Sequence, residues 1–168
     1  MATRWNKNVP RKVNIHVWRL LKDRLPTHFN LWFRGIVNNS LVCPMCFNGI
    51  DTITHTMSDC RIAKKVWTSL SKWLDYNLPY QLSGVDLLEH IKTLKAQKKV
   101  KDIITTVTYA AWWYIWRYRN EAVFQPTKKR YNVLVDSIIM SSFQWYSSRY
   151  KKGHIRWDDW LKSPCLFA

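Results

Sequence analysis

The sequence predicts an all-α protein: a small helical lobe organised around a cluster of metal ligands, followed by a tryptophan-rich helical lobe. Three observations predict it. Apolar residues recur at three- and four-residue intervals in one stretch after another, the period of a helix with one buried face. Three cysteines and a histidine stand in the order Cys43-x2-Cys46-x8-His55-x4-Cys60. Between Val42 and Asp59 the apolar side chains follow neither a helical nor a strand period, so burial alone does not order that stretch.

The first helix is read from Arg11, just after Pro10, to Leu25, just before Pro26, with Val13, Val17, Leu20 and Leu21 on one face and a basic opposite face. Thr27 is placed to cap a short second helix, His28 to Arg34, which Gly35 ends as a left-handed cap. The two are expected to form a hairpin beside the cysteine loop, with Ile36-Val37-Asn38-Asn39-Ser40 leading into it. After the loop, Ile62, Ala63, Val66, Trp67, Leu70, Trp73 and Leu74 predict a helix capped by Asp59, running to about Tyr76 and packing on the first pair.

Asn77-Leu78-Pro79-Tyr80 reads as a linker, which divides the chain into 1–78 and 79–168. Beyond it, Ser83 caps an amphipathic helix from Val85 to Leu94, and Lys95 to Lys99 form a basic turn or continue that helix. The most apolar helix, Val100 to Phe124, carries Val100, Ile103, Ile104, Val107, Ala111, Tyr114, Ile115 and Tyr118 as one stripe and three tryptophans over much of the rest. A helix apolar on most sides lies among others, so this one is the expected centre of the C-terminal half. Pro126-Thr127 separate it from a last long helix, Tyr131 to about Tyr150, and the tail from Lys151 to Trp160 reads as a turn and a short helix.

The spacing of Cys43, Cys46, His55 and Cys60 suits one tetrahedral Zn2+ ion: a two-residue gap lets a tight turn aim two sulfurs at one point, and the four-residue gap closes the second pair from about one helical turn. Four protein ligands leave no position for a catalytic water, so the expected role is folding. Disulfides are the alternative for these cysteines. The first residues run straight into charged sequence with no apolar leader, which favours an intracellular, nuclear or cytoplasmic chain and therefore the metal. The run Ile103 to Trp116 is too short to span a membrane.

Net charge is +16, from 27 Lys and Arg against 11 Asp and Glu, more than solubility requires, and it points to an anionic partner. Residues 1–42 carry eight basic side chains and one acidic one, a net +7 flanking the metal loop. Arg34 and Arg61 are placed to offset the net negative charge of zinc bound by three thiolates. The candidate phosphate-binding residues are Arg11, Lys12, Arg19, Lys22, Arg24 and Arg34, extended by Lys64, Lys65 and Lys72 on the polar side of the third helix. Most of the eleven tryptophans stand at core spacing; Trp5 and Trp32 lie outside the apolar stripes, near basic residues, and are the candidates for stacking on bases. His16, His28, His90 and His154 lack a ligand partner at a recognisable spacing, and Cys165 is read as a free thiol. Asp158-Asp159 lie between tryptophans with no third carboxylate in a strand context, which rejects a two-metal phosphoryl-transfer site.

Trp5, Val9-Pro10, Lys12-Val13, Trp18-Arg19-Leu20, Arg24-Leu25-Pro26-Thr27, Asn30-Leu31, Arg34-Gly35-Ile36, Cys43-Pro44-x-Cys46, His55, Cys60, Ala63 and Val66-Trp67 together resemble the zinc-binding domain that follows the polymerase in plant non-LTR retrotransposon reverse transcriptases, over about the first 75 residues. The segment Trp116 to Phe124 is similar to a region downstream of that domain. The resemblance implies a zinc-binding, nucleic-acid-contacting appendix with Cys43, Cys46, His55 and Cys60 as ligands. It also implies a non-enzymatic remnant without the polymerase portion. Asp51 stands in place of the family's acidic residue before the histidine; Thr56-Met57 stand where the family has an apolar pair. The expected partner is RNA or DNA. The alternative is a scaffolding module that docks a reverse transcriptase or another protein, and no membrane partner is expected.

Overall fold

The computed structural model describes residues 5–36, 40–124, 131–150 and 154–165. Seven α-helices hold most of them: α1 (Arg11–Leu21), α2 (His28–Phe33), α3 (Arg61–Leu74), α4 (Gly84–Thr93), α5 (Lys98–Phe124), α6 (Tyr131–Arg149) and α7 (Trp157–Lys162). A single π-helical turn, His55–Asp59, leads directly into α3. No strand occurs among the described residues; Val42 and Ile50 form one isolated antiparallel bridge at the neck of the cysteine loop.

α1 stops at Leu21, four residues short of the Leu25 expected from its apolar stripe. Asp23 takes the left-handed conformation at φ 50°, and the Asp23 and Arg24 amides turn back to the carbonyls of Leu20 and Arg19. That double bond pattern satisfies the last carbonyls and ends the helix, and Asp is among the few residues besides glycine that visit this conformation without large cost. α2 begins and ends as expected: Thr27 Oγ1 accepts from the Asn30 amide at 3.1 Å and Gly35 sits at φ 77°. The expected Asp59 cap of α3 is corrected. Asp59 belongs to the π-helical turn, and Cys60 occupies the cap position with no side-chain cap bond. The wider turn positions Cys60, whose amide donates to the His55 carbonyl at 2.7 Å, between the loop and the helix.

α5 is the centre of the described structure, not only of its C-terminal half. It packs against α1, α3, α4, α6 and the π-helical turn. The face of α1 carrying Val13, Val17 and Leu20 and the face of α3 carrying Ala63, Val66, Trp67 and Leu70 both bury into a core continuous with Ile103, Ile104, Val107, Ala111 and Ile115. The expected packing of α3 on α1 and α2 is therefore corrected: α3 lies on α5, α6 and the π-helical turn, because α5 offers the larger apolar surface. The buried threonines of α5 do not break it, since Thr106 and Thr108 donate their hydroxyls to the carbonyls of Asp102 and Ile104 one turn back.

Ser83 caps α4 through the Asp86 amide, at 3.2 Å. The stretch 77–80 is packed rather than free. Leu78 is buried, and the Tyr80 ring stacks on Trp67 with centroids 6.1 Å apart. Trp160 on α7 is buried against Tyr146 and Phe143 of α6, and its carbonyl accepts from Trp73 Nε1 at 3.0 Å. Pro126-Thr127, Val37-Asn38-Asn39 and Lys151-Lys152-Gly153 lie outside the described residues.

Candidate metal centre

The loop from Leu41 to Asp51 folds back on itself. The Cys43 amide donates to Gly49 O at 2.9 Å, Phe47 N to Cys43 O at 2.9 Å, and Asp51 N to Leu41 O at 2.8 Å. Phe47 and Gly49 take positive φ values, 55° and 80°. At Gly49 a side chain is excluded twice over: by the left-handed backbone and because a Cβ would stand 2.8 Å from His55 Cε1. The glycine lets the imidazole close on the loop. Its signal in the sequence was a lone glycine within the x8 spacer.

Cys43, Cys46, His55 and Cys60 bring their ligand atoms within 4.8 Å of one another. Cys43 Sγ and Cys60 Sγ are 4.0 Å apart, and Cys46 Sγ and His55 Nε2 are 3.3 Å apart. Around zinc, with metal–sulfur bonds of about 2.3 Å and metal–nitrogen bonds of about 2.0–2.1 Å, a regular tetrahedron has edges of about 3.4–3.8 Å. The donor set and its spacing therefore fit Zn2+ held by all four predicted ligands. Cys43 and Cys60 are fully buried; Cys46 and His55 are half-buried. Within the buried pair, the Cys43 thiol is pushed far up by the hydrogen bond it makes to the Cys60 sulfur and by burial, while that bond pulls the Cys60 thiol down.

Asp51 is the structural pivot behind the ligands. Its carboxylate is completely buried and accepts from three directions: the His28 amide at the start of α2 at 2.8 Å, the Thr56 hydroxyl in the π-helical turn at 2.8 Å, and the Arg119 guanidinium of α5. Arg119 is itself buried and lies over the Trp116 ring. The Thr56-Met57 pair that departs from the family pattern thus has a physical account. Thr56 is a carboxylate donor in a buried site, and Met57 fills the core while its carbonyl accepts from Trp67 Nε1 at 2.7 Å.

Arg11, Lys12, Arg19, Lys22 and Arg24 are exposed on α1 and just after it, with Lys12 Nζ held 5.6 Å over the Trp113 ring. Arg34 is exposed at the end of α2. Trp32 and Trp5 are 53% and 60% exposed. Trp5 and Lys22 border a cavity of about 610 Å³ between the N-terminal segment, α4 and α5. Lys64, Lys65 and Lys72 border a separate groove of about 600 Å³ that shares no lining residue with the first and reaches Cys46 and His55. The sequence-predicted contacts are thus distributed over different surfaces. Arg61, expected only to offset the metal charge, lines this second groove, as does Tyr131.

His16 is buried between Trp113 and Trp116. His90 Nε2 meets the Tyr76 hydroxyl at 2.8 Å, and His28 stands 3.6 Å from Asp51. Cys165 is half-buried, and burial raises its thiol to about 11. Asp158 pairs with Arg156 at the surface, 3.4 Å away. No helix among the described residues is long and apolar enough to cross a membrane.

No curated protein and no solved structure matches the chain. The family described as zinc-binding in reverse transcriptase matches residues 1–67, a span that holds all four ligands together with Asp51, Thr56 and Trp67. Residues 1–67 are accordingly similar to that zinc-binding family, and Cys43, Cys46, His55 and Cys60 are the metal site the match contains.

Proposed function

We propose that the chain is a non-catalytic, zinc-stabilised module that binds nucleic acid through its basic surface, descended from a plant non-LTR retrotransposon reverse transcriptase. The observation that carries this reading is the outer face of α1. Arg11, Lys12, Arg19, Lys22 and Arg24 are all exposed, and none pairs with a described carboxylate. Unpaired cations on a chain of net +16 attract phosphates and release their counterions. The metal contributes architecture, since four protein donors fill its tetrahedron and no coordination position is left for water. Fluorescence anisotropy with labelled single-stranded RNA at low salt tests the proposal. Binding should weaken steeply with salt, and the triple change Lys12→Glu, Arg19→Glu, Lys22→Glu should weaken it further. No binding to single-stranded or structured RNA at low salt defeats the reading.

One observation favours a protein partner instead. Trp32 and Phe33 at the end of α2, Ile36 just after it, and Phe47 and Ile50 in the metal loop are large apolar side chains left more than half exposed. A docking role predicts that the α1 charge reversal leaves partner capture intact, whereas Phe33→Ser with Phe47→Ser abolishes it.

A further inference from the structure

We propose that the groove between α3 and the start of α6 is the seat of a single-stranded nucleic-acid backbone, with Arg61, Lys64, Lys65 and Lys72 as its phosphate ligands. This deepens the nucleic-acid reading above and rests on it. These four residues fall on one side of α3 and lie within twelve residues, about 16 Å along the helix. They line the same concavity, and none forms an ion pair with a described carboxylate.

The groove is not simply compensating the metal. Four cations face one carboxylate, Asp59, and the single net negative charge of zinc bound by three thiolates, which leaves +2 concentrated in one concavity. The hydroxyl of Thr68, between Lys64 and Lys72, is turned back to the Lys64 carbonyl at 2.9 Å, so the cations are the donors the groove offers. Lys65 is held in place by the ring of Tyr131, with Nζ 5.2 Å from its centroid, so the opposite wall is built by a helix outside the matched family region. A volume of about 600 Å³ is in the range of small-ligand sites. The occupant that the proposal assigns to it is a short run of single-stranded nucleotides. A chain whose phosphates are spaced along the groove satisfies several cations at once, which a lone anion does not.

The test uses the zinc-loaded chain and labelled oligo-U, oligo-dT and a duplex of equal length, with affinity measured from 50 to 200 mM salt. The variant Arg61→Gln, Lys64→Gln, Lys72→Gln should bind both single strands at least tenfold more weakly. It should also lower the slope of log affinity against log salt by about 2, near 0.7 for each phosphate no longer neutralised. Thr68→Lys adds a cation at an exposed position and should tighten binding. Zinc content and circular dichroism establish that each variant is folded. A groove variant with unchanged slope, an unchanged Thr68→Lys affinity, or a duplex that binds as well as the single strands overturns the groove. If the groove variant is unchanged while Lys12→Glu, Arg19→Glu, Lys22→Glu loses binding, the groove falls and the nucleic-acid reading stands. If the unmodified chain binds none of the three probes, both fall.

Discussion

The metal loop and helix α5 reach order by different means. Between Leu41 and Cys60 the chain buries few large apolar side chains, and its shape comes from amide–carbonyl bonds, two left-handed residues, four metal donors and one buried carboxylate. α5 buries isoleucines, alanines, tryptophans and Val107 on several sides and needs no ligand. The two meet at Asp51 and Arg119, where the loop presents its buried negative charge and the helix its buried positive one. A stretch poor in buried apolar side chains is thus tied, through a charge pair, to the helix that buries the most side chains among the described residues. Neither charge has water to fall back on.

Removing the metal should break the comparison most completely. Structural zinc in small domains supplies about 10–16 kcal/mol of apparent folding energy. A chelator should therefore collapse the loop, release the π-helical turn and lower the thermal midpoint followed by circular dichroism. An unchanged melting curve would mean that the loop is ordered without zinc.

Arg119→Met asks how strongly the two regions lean on each other. It takes the guanidinium from the buried Asp51 carboxylate and leaves it the His28 amide and ring and the Thr56 hydroxyl, which costs about 3 kcal/mol in urea unfolding. Asp51→Asn added to Arg119→Met should recover part of that loss, and the single variant should give up zinc to a competing chelator more readily than the parent. A single variant as stable as the parent would show that the pair couples nothing.

Acid separates the regions more finely. His16 belongs to the α1–α5 interface, where burial, opposed by a backbone hydrogen bond to Trp112, lowers its pKa from 6.5 to about 4. The unfolded chain takes up this proton near 6.5 and the folded chain only near 4, so stability is full above 6.5 and falls as pH drops between the two values. The whole effect approaches about 3 kcal/mol below pH 4. Protons also compete for the metal ligands in that range. His16→Leu, compared with the parent at each pH, removes the shared contribution of the metal. The difference should shrink the acid slope, and parallel pH profiles would refute the assignment to His16.

Local rules made much of this legible. Thr27 and Ser83 are caps because short oxygen-bearing side chains before an apolar period satisfy free amides, and Gly35 ends α2 because a left-handed residue was needed there. The four ligands were legible because tetrahedral chemistry restricts spacing. The end of α1 was not: the apolar stripe continues toward Leu25, and only the bonds of Asp23 and Arg24 show where the helix turns back. Leu78 and Tyr80 sit in a stretch with the marks of a linker, yet they are packed, because a helix breaker says nothing about whether the broken segment is buried.

Spacing along the chain thus decided which residues hold the metal, which segments are helical and how strongly the chain is charged, since each depends on neighbours within a few turns. The fold decided the rest. Arg119 stands 68 residues from Asp51, α3 lies on α5 and α6 and not on α1, and Arg61 and Lys72 share a groove with Tyr131. Those pairings depend on which apolar faces bury one another, and residues far apart in sequence become neighbours only when a common core brings their helices together.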